Sequence, residues 1–305
     1  MKLLLIGGLG HLGCAIIKRF RFKDDLEICV LDDLSRMNHK NREWFSQGNL
    51  KFLDSKSTII SDEIISDLKL DLAIHLAFRS VPETDLVDTG KNQDPNLVFA
   101  KKVSNACMSS KIPLIYASST SVYHGLTGLV TEETPIHRIG SPYARSKMDV
   151  EQLLISLPQL KFVILRLGSV HGLSAGMKFE TVVNKFCLQY SHMEPLTVWN
   201  GALNVVRPYL SVLDFVRAIE FIIYSLGFNN QVFNLVTKSW STQELVSILE
   251  KQGGFPPAIE YETMPGFSQE SILVSTSKFE ETGFNFTGSL EVDIKETLNF
   301  LRGNH

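Results

Sequence analysis

Tyr143 and Lys147, in Ser141-Pro142-Tyr143-Ala144-Arg145-Ser146-Lys147, set a phenol and an ammonium four residues apart. On a helix those positions share one face, so both groups can converge on one bound molecule. Pro142 suits a first helical turn and Ser141 its cap, which predicts a helix starting here. A phenol with an ammonium beside it can exchange a proton with an alcohol, provided that a cofactor takes the hydride. The pair alone decides little, because both residue types are common on ordinary amphipathic helices.

The opening of the chain supplies the missing part. Gly7-Gly8-Leu9-Gly10-His11-Leu12-Gly13 fits Gly-x-x-Gly-x-x-Gly from Gly7 and Gly-x-Gly-x-x-Gly from Gly8, with an apolar strand before it and a helical pattern after it. Glycines there allow a tight turn and close backbone approach to a pyrophosphate, and the helix N-terminus offers it free N–H groups. Gly7, Gly10, His11, Leu12 and Gly13 are therefore candidate cofactor-binding positions. Asp32 follows the second apolar run, roughly 20 residues beyond the loop, where a carboxylate accepts both ribose hydroxyls of NAD and repels a 2′-phosphate. NAD is favoured over NADP, with Arg36 the nearby residue that would suit the phosphate. Asp54 ends the third apolar run and is a second candidate, toward the adenine, although an Asp in that place more often caps a turn.

Composition narrows the class. The 305 residues are 44% hydrophobic and 21% charged with a net charge of -3, as in an ordinary globular protein. No basic excess points to nucleic acid. Cys14, Cys29, Cys107 and Cys187 are far apart in sequence and form no Cys-x-x-Cys pair, so buried thiols are expected rather than a metal site or disulfides. Met1 to Ile6 reads as a buried first strand, since glycines interrupt it before any signal-peptide core is complete. No apolar run approaches the roughly 20 residues of a membrane span. The expectation is a cytoplasmic protein with no membrane partner.

Short β-rich runs alternate with helical stretches through the first half, the pattern of parallel strands joined by crossover helices. Strands are predicted at Leu3–Ile6, Glu27–Leu31, Leu50–Leu53, Leu72–Leu76, Leu114–Ala117 and Phe162–Leu165, with helices near His11–Phe20, Asp62–Leu68, Asn96–Ser109 and Tyr143–Ser156. The fold class is α/β, a doubly wound parallel (Rossmann) sheet with helices on both faces. Residues 1–172 form an NAD-binding domain carrying the catalytic residues, and 173–305 a smaller C-terminal substrate-binding lobe. The two interleave, with about 205–240 partly returning to the first, because Val232–Leu235 is apolar enough to rejoin the sheet. From Leu173 to Pro208 the rhythm loosens, and helices return at Val212–Leu226 and Thr242–Lys251.

Further segments, in order, are His75-Leu76-Ala77, Tyr116-Ala117-Ser118-Ser119-Thr120-Ser121-Val122-Tyr123, Arg166-Leu167-Gly168-Ser169-Val170-His171-Gly172 and Arg207-Pro208-Tyr209-Leu210-Ser211-Val212-Leu213-Asp214. With the glycine loop, Asp32 and Tyr143 to Lys147, the chain resembles the extended short-chain dehydrogenase/reductase family, in particular its NAD-dependent sugar-nucleotide epimerases and dehydratases. The resemblance implies that Ser119, Tyr143 and Lys147 are catalytic, with Lys147 and a positive nicotinamide favouring the phenolate. It implies cofactor contacts at Leu76, Ala77 and Asn96, and substrate contacts at Ser119, Ser169 and Arg207. Taken singly, Asn96 reads as a helix cap and His75 as a core histidine.

Thr120 and Ser121 stand where the family's 4,6-dehydratases carry an Asp and a Glu, which disfavours dehydration. Arg79 follows Ala77-Phe78 where small residues are usual, Ser169 stands where many relatives have Asn, and Met264 to Gln269 lacks a phosphate-binding Arg. The expected activity is an NAD-dependent epimerase that oxidises the sugar C4 hydroxyl to a transient ketone and returns the hydride to the other face. A dehydratase or reductase of the same family is the alternative. A non-catalytic NAD-binding regulator is the reading from another class, and retention of Ser119, Tyr143 and Lys147 argues against it. The expected partner is a small molecule, a nucleotide sugar, and the resemblance implies a homodimer paired through the helices at Asn96–Ser109 and Tyr143–Ser156.

Overall fold

Successive side chains of a strand point to opposite faces, and β1 (Lys2–Ile6) uses both: Leu3 and Leu5 enter one hydrophobic core, Leu4 and Ile6 another. A strand apolar on both faces must lie inside a sheet covered on both sides. The computed structural model describes residues 1–35, 48–54, 62–79, 94–137, 140–263 and 270–303. Arg36 and the segment 264–269 lie outside the described residues.

After β1 come α1 (His11–Phe20), β2 (Glu27–Asp32), β3 (Leu50–Asp54), α2 (Asp62–Asp67), β4 (Leu72–His75), α3 (Pro95–Ser109) and β5 (Leu114–Ser119). The chain continues through β6 (Gly128–Val130), α4 (Pro142–Ile155), β7 (Phe162–Leu167), β8 (Ser169–His171), α5 (Val182–Ser191), β9 (Leu196–Trp199), β10 (Val206–Ser211) and α6 (Val212–Phe221). It ends with β11 (Gln231–Leu235), β12 (Lys238–Ser241), α7 (Thr242–Gly253), β13 (Ile259–Glu262), β14 (Ile272–Val274), α8 (Ser277–Glu280) and α9 (Leu290–Leu301).

Seven parallel strands form the central sheet in the order β11-β7-β5-β4-β1-β2-β3. Ile16, Phe20, Phe215 and Ile219 from α1 and α6 cover one face, and Val103, Cys107, Val150 and Leu154 from α3 and α4 cover the other. Each such side chain contributes about 1.5–3 kcal/mol when fully buried. Successive strands run outward one way from β1 and the other way from β4, so a crevice opens at the carboxyl ends of that pair. Val232 and Phe233 of β11 pair with Ile164 and Leu165 of β7, which brings a late segment back to the sheet edge.

The stretch read as irregular, from Leu173 to Pro208, holds α5, β9 and the start of β10. Val183, Phe186, Cys187 and Tyr190 fill a third core with Leu245, Leu249, Leu290 and Ile294 from α7 and α9. Asp214 is fully buried at the start of α6 and accepts hydrogen bonds from Thr237 Oγ1 at 2.8 Å and from the Thr287 and Gly288 amides at 2.9 Å. Those bonds tie the C-terminal segment to the sheet's covering helix. The four cysteines are buried and none is in a disulfide. Among the described residues no helix is long and apolar enough to cross a membrane.

Candidate active site

At the crevice beside β1 the glycine loop turns with Gly7 at φ +82°, where an added Cβ would lie 2.7 Å from the Ala77 amide nitrogen. A Cβ on Gly13 would lie 2.5 Å from the Gly8 backbone, so the loop and α1 can pack this closely only with glycine there. Gly10 differs. A Cβ on it would meet nothing nearer than the Gly7 carbonyl at 3.5 Å, so internal packing does not require glycine, whereas a ligand in contact with the backbone does. Gly10 caps α1 with no side-chain hydrogen bond, which leaves the first-turn amides to an anion.

Asp32 fits the same ligand. It is 8% exposed and fixed by Leu9 N–H on Oδ2 at 2.9 Å and Leu34 N–H on Oδ1 at 3.1 Å. Burial pushes its carboxyl up, and those backbone bonds work against the shift. Each oxygen retains a lone pair for a ribose hydroxyl. These features suit a dinucleotide, and NAD in particular. His11 donates from Nε2 to the Gly172 carbonyl at 2.9 Å, while Ser174 Oγ donates to the His11 carbonyl at 2.9 Å. Burial lowers the His11 pKa to about 4, so the ring is neutral at pH 7.

A cleft of about 1400 Å³ runs from this loop across the end of the sheet. It is lined by Gly7, Gly10, His11, Leu12, Gly13 and Asp32, by Leu76, Ala77 and Asn96, by Ser119, Tyr143 and Lys147, and by Ser169 and Arg207. Asp54 ends β3, two strands out from β1, and is outside that lining. A smaller depression of about 500 Å³ at the β7–β11 edge shares no residue with the cleft.

β5 delivers Ser119, whose Oγ accepts a 3.1 Å hydrogen bond from Ser121 N–H at the start of a short 3-10 turn, Thr120–Tyr123. Ser141 caps α4 by accepting from Ala144 N–H at 3.1 Å, and Pro142 occupies the first turn. Lys147, one turn beyond Tyr143, is 4% exposed and donates from Nζ to the Ala117 carbonyl at 2.7 Å. Burial pulls its pKa down to about 7, against the attraction of Glu151. Tyr143 is 43% exposed and lines the cleft, yet protein atoms crowd its ring. That crowding pushes the phenol up, and only Ser119 acts in the opposite sense. The chain by itself therefore does not favour the phenolate.

Beneath the three residues lies a buried polar network that sequence reading missed. Glu151 is fully buried, accepts a hydrogen bond from Ser118 Oγ and pairs with Arg166 Nη2 at 2.7 Å. Arg166 Nη1 donates to Tyr123 Oη at 2.7 Å, and Tyr123 donates to Asn234 Oδ1 at 2.9 Å. Burial disfavours the guanidinium charge, but Glu151 and Tyr123 outweigh it and raise the Arg166 pKa. The signal in the sequence was Glu151 itself, one further turn along the face that carries Tyr143 and Lys147.

Asn96 is not the cap of α3; Asp94 is, accepting from Asn96 N–H at 2.9 Å. The Asn96 amide instead holds both backbone groups of Arg79, at 2.8 and 3.0 Å. His75 is 3% exposed between the Phe99 and Tyr116 rings, and burial lowers its pKa to about 3. Arg207 is half-buried, with Nη1 donating to the carbonyls of Glu270 at 2.5 Å and Val206 at 3.1 Å.

A family model described as the NAD dependent epimerase/dehydratase family matches residues 3–235. A UDP-glucose 4-epimerase of Lactobacillus helveticus is 27% identical over 183 residues, 57% of this chain and 53% of that protein. An ADP-L-glycero-D-manno-heptose-6-epimerase of Brachyspira hyodysenteriae is 26% identical over 93% of this chain and 92% of its own length. Among solved structures, a UDP-N-acetylglucosamine 4-epimerase of Methanobrevibacter ruminantium superposes with a TM-score of 0.85 at 24% identity, covering 100% of this chain and 99% of that one. A dTDP-glucose 4,6-dehydratase of Bacillus anthracis in complex with NAD gives 0.84 at 21% identity, covering 100% and 97%. At such identities these structures speak to the fold alone.

Proposed function

Since the chain belongs to the NAD-dependent epimerase/dehydratase family, we propose that it is a nucleotide-sugar epimerase working at the sugar C4. The observation that carries this reading is the meeting of Ser119, Tyr143 and Lys147 in one cleft with the glycine loop and Asp32, while Thr120 and Ser121 follow Ser119. Neither side chain can act as the carboxylate acid or base that elimination of water requires. Thr120 Oγ1 is in any case turned to the Leu167 carbonyl at 3.2 Å.

The glycine loop and Asp32 would hold NAD, whose nicotinamide would supply the hydride-transfer chemistry in both directions. Tyr143 as phenolate would take the C4 hydroxyl proton at its phenolic oxygen and return it to the same sugar oxygen at the end of the cycle. Ser119 Oγ donates to the same sugar oxygen and fixes the direction of the C–H bond. Lys147 Nζ would hold the nicotinamide ribose, and its charge, with that of the oxidised cofactor, would supply the roughly 4 kcal/mol that lowers a phenol by about 3 pH units. Arg207 faces the substrate's diphosphate, for which a guanidinium fork is suited. Ser169 lines the same side. A homodimer paired through α3 and α4 belongs to the same proposal, and light scattering tests it.

Purified protein with NAD, screened by thermal shift against a panel of nucleotide sugars, will show a ligand that raises the melting temperature. NMR of that mixture will show the C4 epimer. Good NAD binding with no turnover of any sugar that binds would favour the regulator instead.

A further inference from the structure

Lys147 Nζ lies 4.4 Å from the ring centre of Phe78, 5.1 Å from that of Tyr116 and 5.9 Å from that of Tyr143. The rings come from three places: the segment just after β4, β5, and α4 itself. Phe78 and Tyr143 meet edge to face, 4.9 Å apart at 75°, so each restrains the plane of the other. The ammonium has its one hydrogen-bond acceptor among the described residues in the Ala117 carbonyl. Lys147 is only 4% exposed, and the faces of these rings carry a partial negative charge that attracts an ammonium.

Charged and titratable neighbours do not replace that contribution. Glu151, one turn further along α4, attracts Lys147 but is engaged by Arg166 and Ser118, and Lys178 from the segment after β8 repels it. His75 on β4 is neutral in the core, and the Tyr116 and Tyr143 phenols keep their protons. Burial, with Lys178 and against Glu151, brings Lys147 down to about 7, close to balance between amine and ammonium at neutral pH. At that balance a modest interaction decides the state.

We propose that Phe78 is a positioning residue whose ring closes an aromatic cage with Tyr116 and Tyr143, stabilising Lys147 as an ammonium and holding it beside the Tyr143 phenol. The cage is a property of the folded chain, and only its use in turnover rests on the epimerase reading. Its test therefore reads Lys147 directly, without substrate, so that failure of one leaves the other standing.

The titration of Lys147 is followed by NMR with carbon-13 at lysine Cε, the signal being assigned by its loss in Lys147→Arg. Phe78→Leu is expected to lower the midpoint by roughly one pH unit, and Phe78→Tyr to restore it to within a few tenths. Fluorinated phenylalanines placed at position 78 keep the ring's shape and withdraw charge from its face, so they serve even if the Leu variant does not fold. The midpoint should fall stepwise with each added fluorine. A flat fluorine series, or an equal fall in the Leu and Tyr variants, overturns the proposal.

Discussion

Glu151→Gln removes one charge and almost no volume from the most enclosed ion pair in the described chain, Glu151 at 0% and Arg166 at 7% side-chain exposure. Arg166 would keep Tyr123 and one amide oxygen as acceptors but lose the opposing charge and one of the two oxygens that now make contacts at 2.7, 3.1 and 3.2 Å. A buried guanidinium charge left without its counter-charge costs about 3–5 kcal/mol, a large part of the roughly 5–15 kcal/mol that holds a domain together. Replacing both partners by apolar residues, as in Glu151→Leu with Arg166→Met, leaves no stranded charge and should recover most of that loss. Urea unfolding followed by circular dichroism reads both variants, the midpoint moving while the slope stays constant. A single variant within about 1 kcal/mol of the parent protein, or a double variant no better than the single, would refute the view that this pair braces the floor of the site.

Tyr143→Phe should lower turnover by at least ~100-fold while NAD binds almost unchanged by calorimetry, and near-normal turnover would remove the phenol from the chemistry. Asp32→Ala should weaken NAD by roughly 10- to 100-fold, through loss of charged hydrogen bonds to the ribose, with much less effect on NADP; an equal loss for both would contradict the assignment. His11 and His75 are held by burial at about 4 and about 3, below the ~6.5 of an unfolded histidine. The folded chain therefore binds fewer protons than the unfolded one, and the stability they protect is complete above pH ~6.5 and lost as pH falls toward 4. That loss approaches about 3 kcal/mol for each ring. Urea midpoints should fall over this window, less steeply in His11→Gln, and an unchanged slope in that variant would contradict the role given to His11.

Local rules carried the parts of the site that are local. The turn at Gly7–Gly13 and the start of α4 at Ser141-Pro142 depend on residues within one turn of each other, and both are readable without the fold. Glu151 with Arg166 is a different case, because α4 and β7 come together only through packing, and a lone Glu on a helix looks like a solvated charge. Asn96 misled for the opposite reason: it resembles a cap, but Asp94 lies two residues earlier and takes that place, freeing Asn96 to bind Arg79. Val183, Phe186, Cys187 and Tyr190 keep helical spacing, yet the Gly- and Pro-rich flanks of that stretch hid α5. Asp54 satisfies the same strand-end rule as Asp32, and only the strand order shows that β3 lies two places from β1.

The central claim is that hydride leaves C4 and returns to C4 in the same cleft. A nucleotide sugar deuterated at C4, chosen from those that bind, is to be incubated in ordinary water with catalytic NAD and followed by NMR and NADH absorbance. The C4 epimer should appear with its deuterium retained and no accumulating NADH. Loss of the label to solvent, or NADH formed in step with product, would contradict the account.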